Sequence, residues 1–182
     1  IELLVVITII AMLAAAGFGG YSKIMPGVKA NTAAGTGHAI HTLLFAWAGD
    51  NDQSFPDAAQ NSNEAYRELF KKGLVDTEKT FAIAGDAWHL NSPSRDKKGP
   101  DNDIAWAYVT GHTTASKGDL PIMANAFSET VGVYSKDPKK KGGVFTGTKC
   151  AWVAVGGSAK VGDLDGNYKC MDKKGTKSVD VF

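Results

Sequence analysis

The sequence is poor in the features that mark redox proteins and enzymes. Its 182 residues include two cysteines, Cys150 and Cys170, which stand too far apart for a redox Cys-x-x-Cys pair. The chain also has no Cys-x-x-Cys-His site for a c-type haem. No nucleophile motif, phosphate-binding loop or pair of catalytic carboxylates is recognisable. The sequence therefore gives no support to an enzyme, and we expect a protein that is not one.

A strong net charge is absent as well, because 20 basic and 19 acidic residues leave a formal charge of +1. No strong field therefore steers the whole chain toward nucleic acid. One basic run surrounds Pro138 but contains no aromatic residue that could stack on bases, so it indicates a solvated hairpin tip. It consists of Lys136, Lys139, Lys140 and Lys141. We predict no specific nucleic-acid partner.

Potential metal ligands are few. His38 and His41 could share one helix face, but zinc needs three or four ligands and the other two histidines, His89 and His112, are distant in sequence. Solvated or interface histidines are the simpler interpretation. No zinc site is predicted.

A second group of possible ligands lies near the end of the chain. Asp163, Asp165 and Asn167 resemble the start of a calcium loop, with oxygen ligands at alternate positions. Lys174 stands where an EF-hand has its bidentate glutamate, so a plain Asp-Gly turn competes with calcium. Calcium is the one cofactor that the sequence leaves open.

The most distinctive segment is apolar. Residues 1–16 read IELLVVITIIAMLAAA, with polar side chains at Glu2 and Thr8 alone. As a helix they would cover about 24 Å of a hydrocarbon core that is about 30 Å thick. A core helix of a soluble domain would have an amphipathic face to orient it, and this segment has none. A secretory signal peptide would carry basic residues in front of the apolar run. No basic residue precedes Lys23, so Glu2 needs a partner on another molecule or an N-terminal amine.

The start of the chain resembles the mature N-terminus of type IV pilins and type II secretion pseudopilins. The residues that carry the resemblance are Ile1-Glu2-Leu3-Leu4-Val5-Val6-Ile7, which these families commonly precede with Phe-Thr-Leu. It implies three further residues before Ile1, the first of them N-methylated. It also implies that Glu2 neutralises the N-terminal amine of a neighbouring subunit, within an assembly surface of Glu2, Leu3, Leu4, Val5, Val6, Ile7, Ile9 and Ile10.

Helix-breaking residues follow this segment. Each glycine costs a helix about 1 kcal/mol relative to alanine and a proline about 3 kcal/mol, and four such residues cluster here: Gly17, Gly19, Gly20 and Pro26. In filaments of the family the corresponding region is often unwound. We expect part of residues 17–26 to be non-helical in a filament, and a proline kink in an intact helix is the alternative.

The rest of the chain predicts a globular head. The helical pattern resumes at Val28 and should stop near Gly49, with an apolar stripe of Ile40, Leu43, Leu44 and Trp47. Asn61 and Glu64 suggest a capping box for a second helix at about 62–72, ended by Gly73. Its inward side chains would be Ala65, Tyr66, Leu69 and Phe70.

Beyond residue 80 the pattern favours short strands between turns, with an exposed loop over 85–103. The predicted strands are 80–83, 104–109, 131–134, 143–145 and 150–155. The expected fold is α+β and pilin-like: a long N-terminal helix, broken near Gly17–Pro26, packed on a small antiparallel sheet. Residues 1–27 would form the membrane and filament-core segment, and residues 28–182 the head.

Three segments of the head resemble prepilin-type proteins of planctomycetes and verrucomicrobia. They are the helix exit Ala48-Gly49-Asp50-Asn51-Asp52-Gln53-Ser54-Phe55-Pro56, the stretch Gly73-Leu74-Val75-Asp76 leading to Phe81, and the hairpin Ala151-Trp152-Val153-Ala154-Val155-Gly156-Gly157-Ser158. The middle segment lacks the Cys-Pro with which it often ends in those proteins, and the hairpin has Gly-Gly where they usually have Asp-Gly.

These resemblances imply a structural protein that polymerises with identical copies. Membrane lipid, the inner-membrane assembly machinery and a prepilin peptidase would be its partners before it enters an extracellular filament. In an exported chain, Cys150 and Cys170 would form one disulfide, worth about 3 kcal/mol for its loop of about 20 residues. The alternatives are a secretion pseudopilin, some of which hold calcium in a C-terminal loop, and a membrane-tethered binding module.

Overall fold

The computed structural model describes residues 2–57, 62–86 and 105–171, except for the side chains of residues 16–19. Several sequence predictions fall on other residues. The predicted cap at Asn61, His89, Lys174 and most of the loop at 85–103 lie outside the described part of the chain. All statements below concern the described residues.

One long helix, α1, runs from Glu2 to Gly49 and has 48 residues, so it is about 72 Å long. Its predicted end at Gly49 is confirmed. The predicted break is wrong for the subunit by itself, because the helix continues through Gly17, Gly19, Gly20 and Pro26. A proline removes a single N–H donor, which the remaining backbone bonds of so long a helix tolerate. Unwinding in a filament stays a prediction.

A second helix, α2, spans Ser62–Lys71 and agrees with the prediction from the sequence. Gly73 follows it with a φ of 69°, the left-handed conformation that glycine supplies at helix ends. All four side chains predicted to face inward are buried. A short 3₁₀ helix at Glu78–Phe81 comes next.

The predicted strand at 80–83 is therefore wrong. Thr77 begins the 3₁₀ turn by accepting a hydrogen bond from Lys79 N–H. The ring of Phe81 lies 5.2 Å from that of Tyr66 and 5.8 Å from that of Phe70, centroid to centroid. Backbone hydrogen bonds from Thr80 N–H to Thr77 O and from Ala82 N–H to Lys79 O close the turn, so this segment is not extended.

Four strands form one antiparallel sheet in the order β1-β2-β3-β4. They are β1 Trp106–Tyr108, β2 Pro121–Asn125, β3 Lys149–Ala154 and β4 Ala159–Asp163. β1 lies within the predicted strand 104–109, β3 overlaps the predicted strand 150–155 but begins one residue earlier, and the predicted hairpin after β3 leads into β4. The α+β fold is confirmed.

Two other predicted strands are wrong, and β2 and β4 were missed. Residues 131–134 and 143–145 form turns, with one isolated bridge from Val133 to Lys169. Gly132 and Gly142 adopt positive φ angles there, which end an extended conformation. β2 begins with a proline and has Ile122 as its one β-branched residue, so its composition gives little strand signal.

The head is built around the C-terminal half of α1. Ile40 and Leu44 are fully buried against the sheet, together with Trp106 and Val153. Gly37 allows this close approach, because a Cβ at that position would lie 2.8 Å from Val153 Cγ2 and 2.9 Å from Trp106 Cη2. The opposite face of the sheet carries a smaller cluster around the disulfide, including Phe127 and Tyr134. The sheet is therefore covered on both faces.

Candidate assembly surface and the sites around it

The two halves of α1 have different surroundings. In the apolar half, defined as residues 2–27, large apolar side chains are exposed, from 49% at Val5 to 79% at Leu3. The set comprises Leu3, Leu4, Val5, Val6, Ile7, Ile9, Ile10, Met12, Leu13, Tyr21 and Ile24. In the packed half, defined as residues 28–49, one face of the helix lies on the head. All predicted apolar assembly residues therefore lie together on one exposed helical segment.

Exposure in the apolar half is not confined to one face. Leu3 to Ile7 cover more than one helical turn, and all of them are exposed. A helix that packs on its own domain buries a stripe, and no such stripe exists here among the described side chains. α1 is the helix of the described chain that is long and apolar enough to cross a membrane. Exposure of this much apolar surface to water is unfavourable.

Two polar side chains interrupt the exposed surface. Thr8 Oγ1 donates a hydrogen bond to Val5 O at 2.7 Å, so its polarity is satisfied within the helix. Glu2 lies in the first turn of α1 and is exposed, where a carboxylate interacts favourably with the helix dipole. The next charged residue along the helix, Lys23, is about 32 Å away by helical rise. Glu2 has no cation of its own helix within reach.

The two cysteines form a disulfide, as predicted for an exported chain. Cys150 on β3 and Cys170 are bonded, with Cα atoms 6.1 Å apart and a sequence separation of 20. Gly162 on β4 makes room for the bridge, because a Cβ there would lie 2.8 Å from Cys170 Sγ and 2.9 Å from Cys150 Sγ. The disulfide joins the chain end of the described head to the centre of its sheet.

His38 and His41 both contact the β3–β4 turn. His38 Nδ1 and His41 Nε2 each lie 2.8 Å from a backbone carbonyl, of Gly157 and Val155 respectively. Because a carbonyl only accepts, each ring must donate an N–H, which sets its tautomer. Burial lowers the pKa of His41 below its ordinary value. The expectation of solvated histidines is wrong for His41, which is buried.

The calcium prediction falls on a turn with internal bonds. Asp165 Oδ1 accepts hydrogen bonds from the backbone N–H groups of Asn167 and Lys169, at 2.8 and 2.9 Å. Asp163 pairs with Lys149 across the β3–β4 ladder. These contacts account for an Asp-Gly turn without an ion. Calcium binding by Asp163, Asp165 and Asn167 stays a prediction.

The basic run forms an exposed turn. Asp137 Oδ1 accepts from Lys139 N–H at 3.0 Å, and Lys136, Lys139 and Lys140 are exposed. The segment lies within the long connection between β2 and β3, so it is a turn in a loop and not the tip of a tight hairpin. Nothing in its geometry gathers the lysines into a groove.

An apolar cleft of about 620 Å³ lies beside β1. Its floor includes Ala107 and Phe127, while Leu120 and the 70% exposed Val131 form its rim, with His112 at one side. Sequence reasoning missed this cleft, since its residues come from separate segments of the chain. The predicted strands at 104–109 and 131–134 contain some of its lining residues, including Ala107 and Val131, but nothing in the sequence shows that these segments meet.

Comparison of the chain with protein-family models, with curated proteins and with solved structures finds no match.

Proposed function

We propose that this protein is the structural subunit of an extracellular type IV pilus-like filament. The single observation that carries the proposal is the apolar half of α1, which projects large apolar side chains on every side from a head with its own complete core. Such a surface suits two environments in turn: a membrane before assembly, and a bundle of identical helices afterwards. The resemblance of residues 1–7 to pilins supports the same interpretation.

Cohesion in the filament would come from burying this surface. A leucine, isoleucine, valine or methionine moved from water into a packed interface contributes about 1.5 to 3 kcal/mol, and nine such residues lie between Leu3 and Leu13. Inside such a bundle the Glu2 carboxylate would meet a low dielectric. It would therefore require a cation, which the N-terminal amine of the neighbouring copy supplies in the proposed assembly.

Electron microscopy of fibres sheared from the source cells tests the proposal. We expect thin fibres that contain this chain, and their loss in Glu2→Ala, because the neighbour's amine would then be buried without a partner. Glu129→Ala, which removes an exposed carboxylate of the head, is the matched control and should leave fibres intact. Normal fibres from Glu2→Ala would contradict the proposed role of Glu2. A chain found in membranes without fibres would contradict the filament itself.

One observation favours a second candidate, a membrane-tethered binding module. The cleft beside β1 has the size of many ligand sites and is mainly apolar. A tethered module would stay monomeric in detergent, would tolerate Glu2→Ala, and would lose its binding when Leu120 and Val131 are replaced by aspartate. A secretion pseudopilin would use the same helix and is distinguished by short periplasmic fibres and by calcium at Asp163 and Asp165.

A further inference from the structure

The charges of α1 are arranged in a way that the filament does not explain. Between Glu2 and Asp50 the helix carries two charged side chains, Lys23 and Lys29, and both are cationic. Neither makes an ion pair or hydrogen bond with any described residue. They lie where α1 leaves the apolar half and enters the head. Two unpaired cations at the end of an apolar helix are complementary to an anionic surface.

The distances along the helix match those of a bilayer. Counting back from Lys23, the 20 residues from Ser22 to Leu3 span about 30 Å, the thickness of the hydrocarbon core. The exposed Tyr21 would then lie at the interface, where tyrosine is enriched in membrane proteins. Glu2 falls just beyond the opposite boundary. This count depends on the continuity of α1 through Gly17 to Pro26.

Lys29 lies about 9 Å further along the axis than Lys23. Its ammonium sits against the head at Gly85, where an added Cβ would be 2.7 Å from Nζ. The headgroup layer adds about 5 to 7 Å to each side of the core, so the Lys23 ammonium lies at the level of the lipid phosphates. A lysine side chain can reach back along an apolar surface toward the headgroups, and Lys29 contacts the phosphates when its side chain turns away from Gly85.

We propose that, before assembly, Lys23 and Lys29 bind the phosphates of anionic lipids and set the depth of α1, with Leu3 to Ser22 in the hydrocarbon and Glu2 hydrated at the opposite interface. This rests on the membrane-resident state of the proposed function. Because this depth keeps Glu2 hydrated, its carboxylate loses water when the subunit leaves the membrane for the filament, and not when the helix enters the bilayer.

The test uses the full chain, with its disulfide intact, in vesicles of phosphatidylcholine with and without phosphatidylglycerol. Nitroxides attached at Leu4→Cys, Met12→Cys and Ser22→Cys report depth. We expect the label at position 12 to be deepest and those at 4 and 22 to lie near opposite interfaces. A deepest label at position 22 or at position 4 would overturn the proposed register. Labels that stay in water would overturn the membrane-resident state and the proposed function with it.

Lipid selectivity tests the lysines separately. Spin-labelled phosphatidylglycerol should associate with the chain more than spin-labelled phosphatidylcholine, by up to about five-fold for each lysine. The double variant Lys23→Ala with Lys29→Ala should lose this preference. Lys117→Ala is the matched control, and the preference should persist in it. Gly118, the next residue, accepts a hydrogen bond from Gly156 N–H, and the neighbouring Val155 contacts His41 on α1. His41 is about 27 Å further along the helix than Lys23, so Lys117 lies far from the proposed headgroup layer. Equal preference in the double variant and the wild type would overturn the phosphate contacts while leaving the filament proposal standing.

Discussion

The apolar half and the packed half of α1 belong to one continuous helix and differ in what covers them. Leu4 is 63% exposed, whereas Leu44 is fully buried beneath the sheet. The packed half completes the core of its own head, so its sequence alternates between buried and exposed faces. The apolar half has no partner within the described chain, and its sequence is apolar on all faces. The difference shows that one helix can be built in two ways, with a buried face on its own head in one half and apolar side chains exposed on all sides in the other.

The same substitution in the two halves should separate these roles. Leu44→Ala leaves a cavity beneath the sheet and should lower the free energy of unfolding of the head by about 2 to 5 kcal/mol. Leu4→Ala should change it by less than about 0.5 kcal/mol. Denaturant titration of the full chain in detergent, followed by tryptophan fluorescence, measures both, because Trp47, Trp106 and Trp152 all lie in the head. Equal losses would mean that the apolar half also supports the head.

Removing the disulfide extends the comparison to the far side of the sheet. The double variant Cys150→Ala with Cys170→Ala frees a loop of 20 residues and should cost the head about 3 kcal/mol. Reduction of the wild type in the same titration is the control for the two side-chain changes. Insertion of the apolar half into vesicles should be unaffected. A head with the same free energy of unfolding with and without the disulfide would contradict the expected stabilisation.

Glycines provide a finer comparison, since alanine is the better helix former by about 1 kcal/mol in both halves. A Cβ at Gly20 meets nothing within 4 Å, so Gly20→Ala should stabilise the helix by up to that amount. At Gly37 the Cβ would collide with Val153 and Trp106, and overpacking should cost about 1 to 3 kcal/mol. Helix content by circular dichroism and the unfolding midpoint measure the two effects. A stabilising Gly37→Ala would show that the sheet can move away from α1.

The features that could be predicted from the sequence are those encoded locally. The end of α1 at Gly49, the whole of α2 and the strand around Trp152 follow from capping, periodicity and β-branched or aromatic residues. β2 and β4 have few such residues, since β4 reads AKVGD, and they become strands by pairing with β3. Sequence could not place His38 and His41 either, because their partners lie 119 and 114 residues away. The exposed apolar half of α1 was predictable because an uninterrupted apolar run places apolar side chains on every face of a helix.

The smallest expected effect concerns the contact between α1 and the β3–β4 turn. Burial lowers the pKa of His41 below its ordinary value of 6.5, so the unfolded chain takes up this proton more readily than the folded head. The associated stability is therefore fully present above about pH 6.5 and is lost as the pH falls through the lower, folded pKa. The free energy of unfolding, measured by denaturant titration between pH 7.5 and 5, should decline. His41→Gln keeps a donor for Val155 O and should flatten this decline. His38→Gln leaves the buried imidazole in place and should preserve most of the decline, because burial lowers the pKa of His41 more than the charge of His38 does. If the decline is the same in His41→Gln, other groups of the head cause it. His41 then links α1 to the β3–β4 turn without making this contact sensitive to pH.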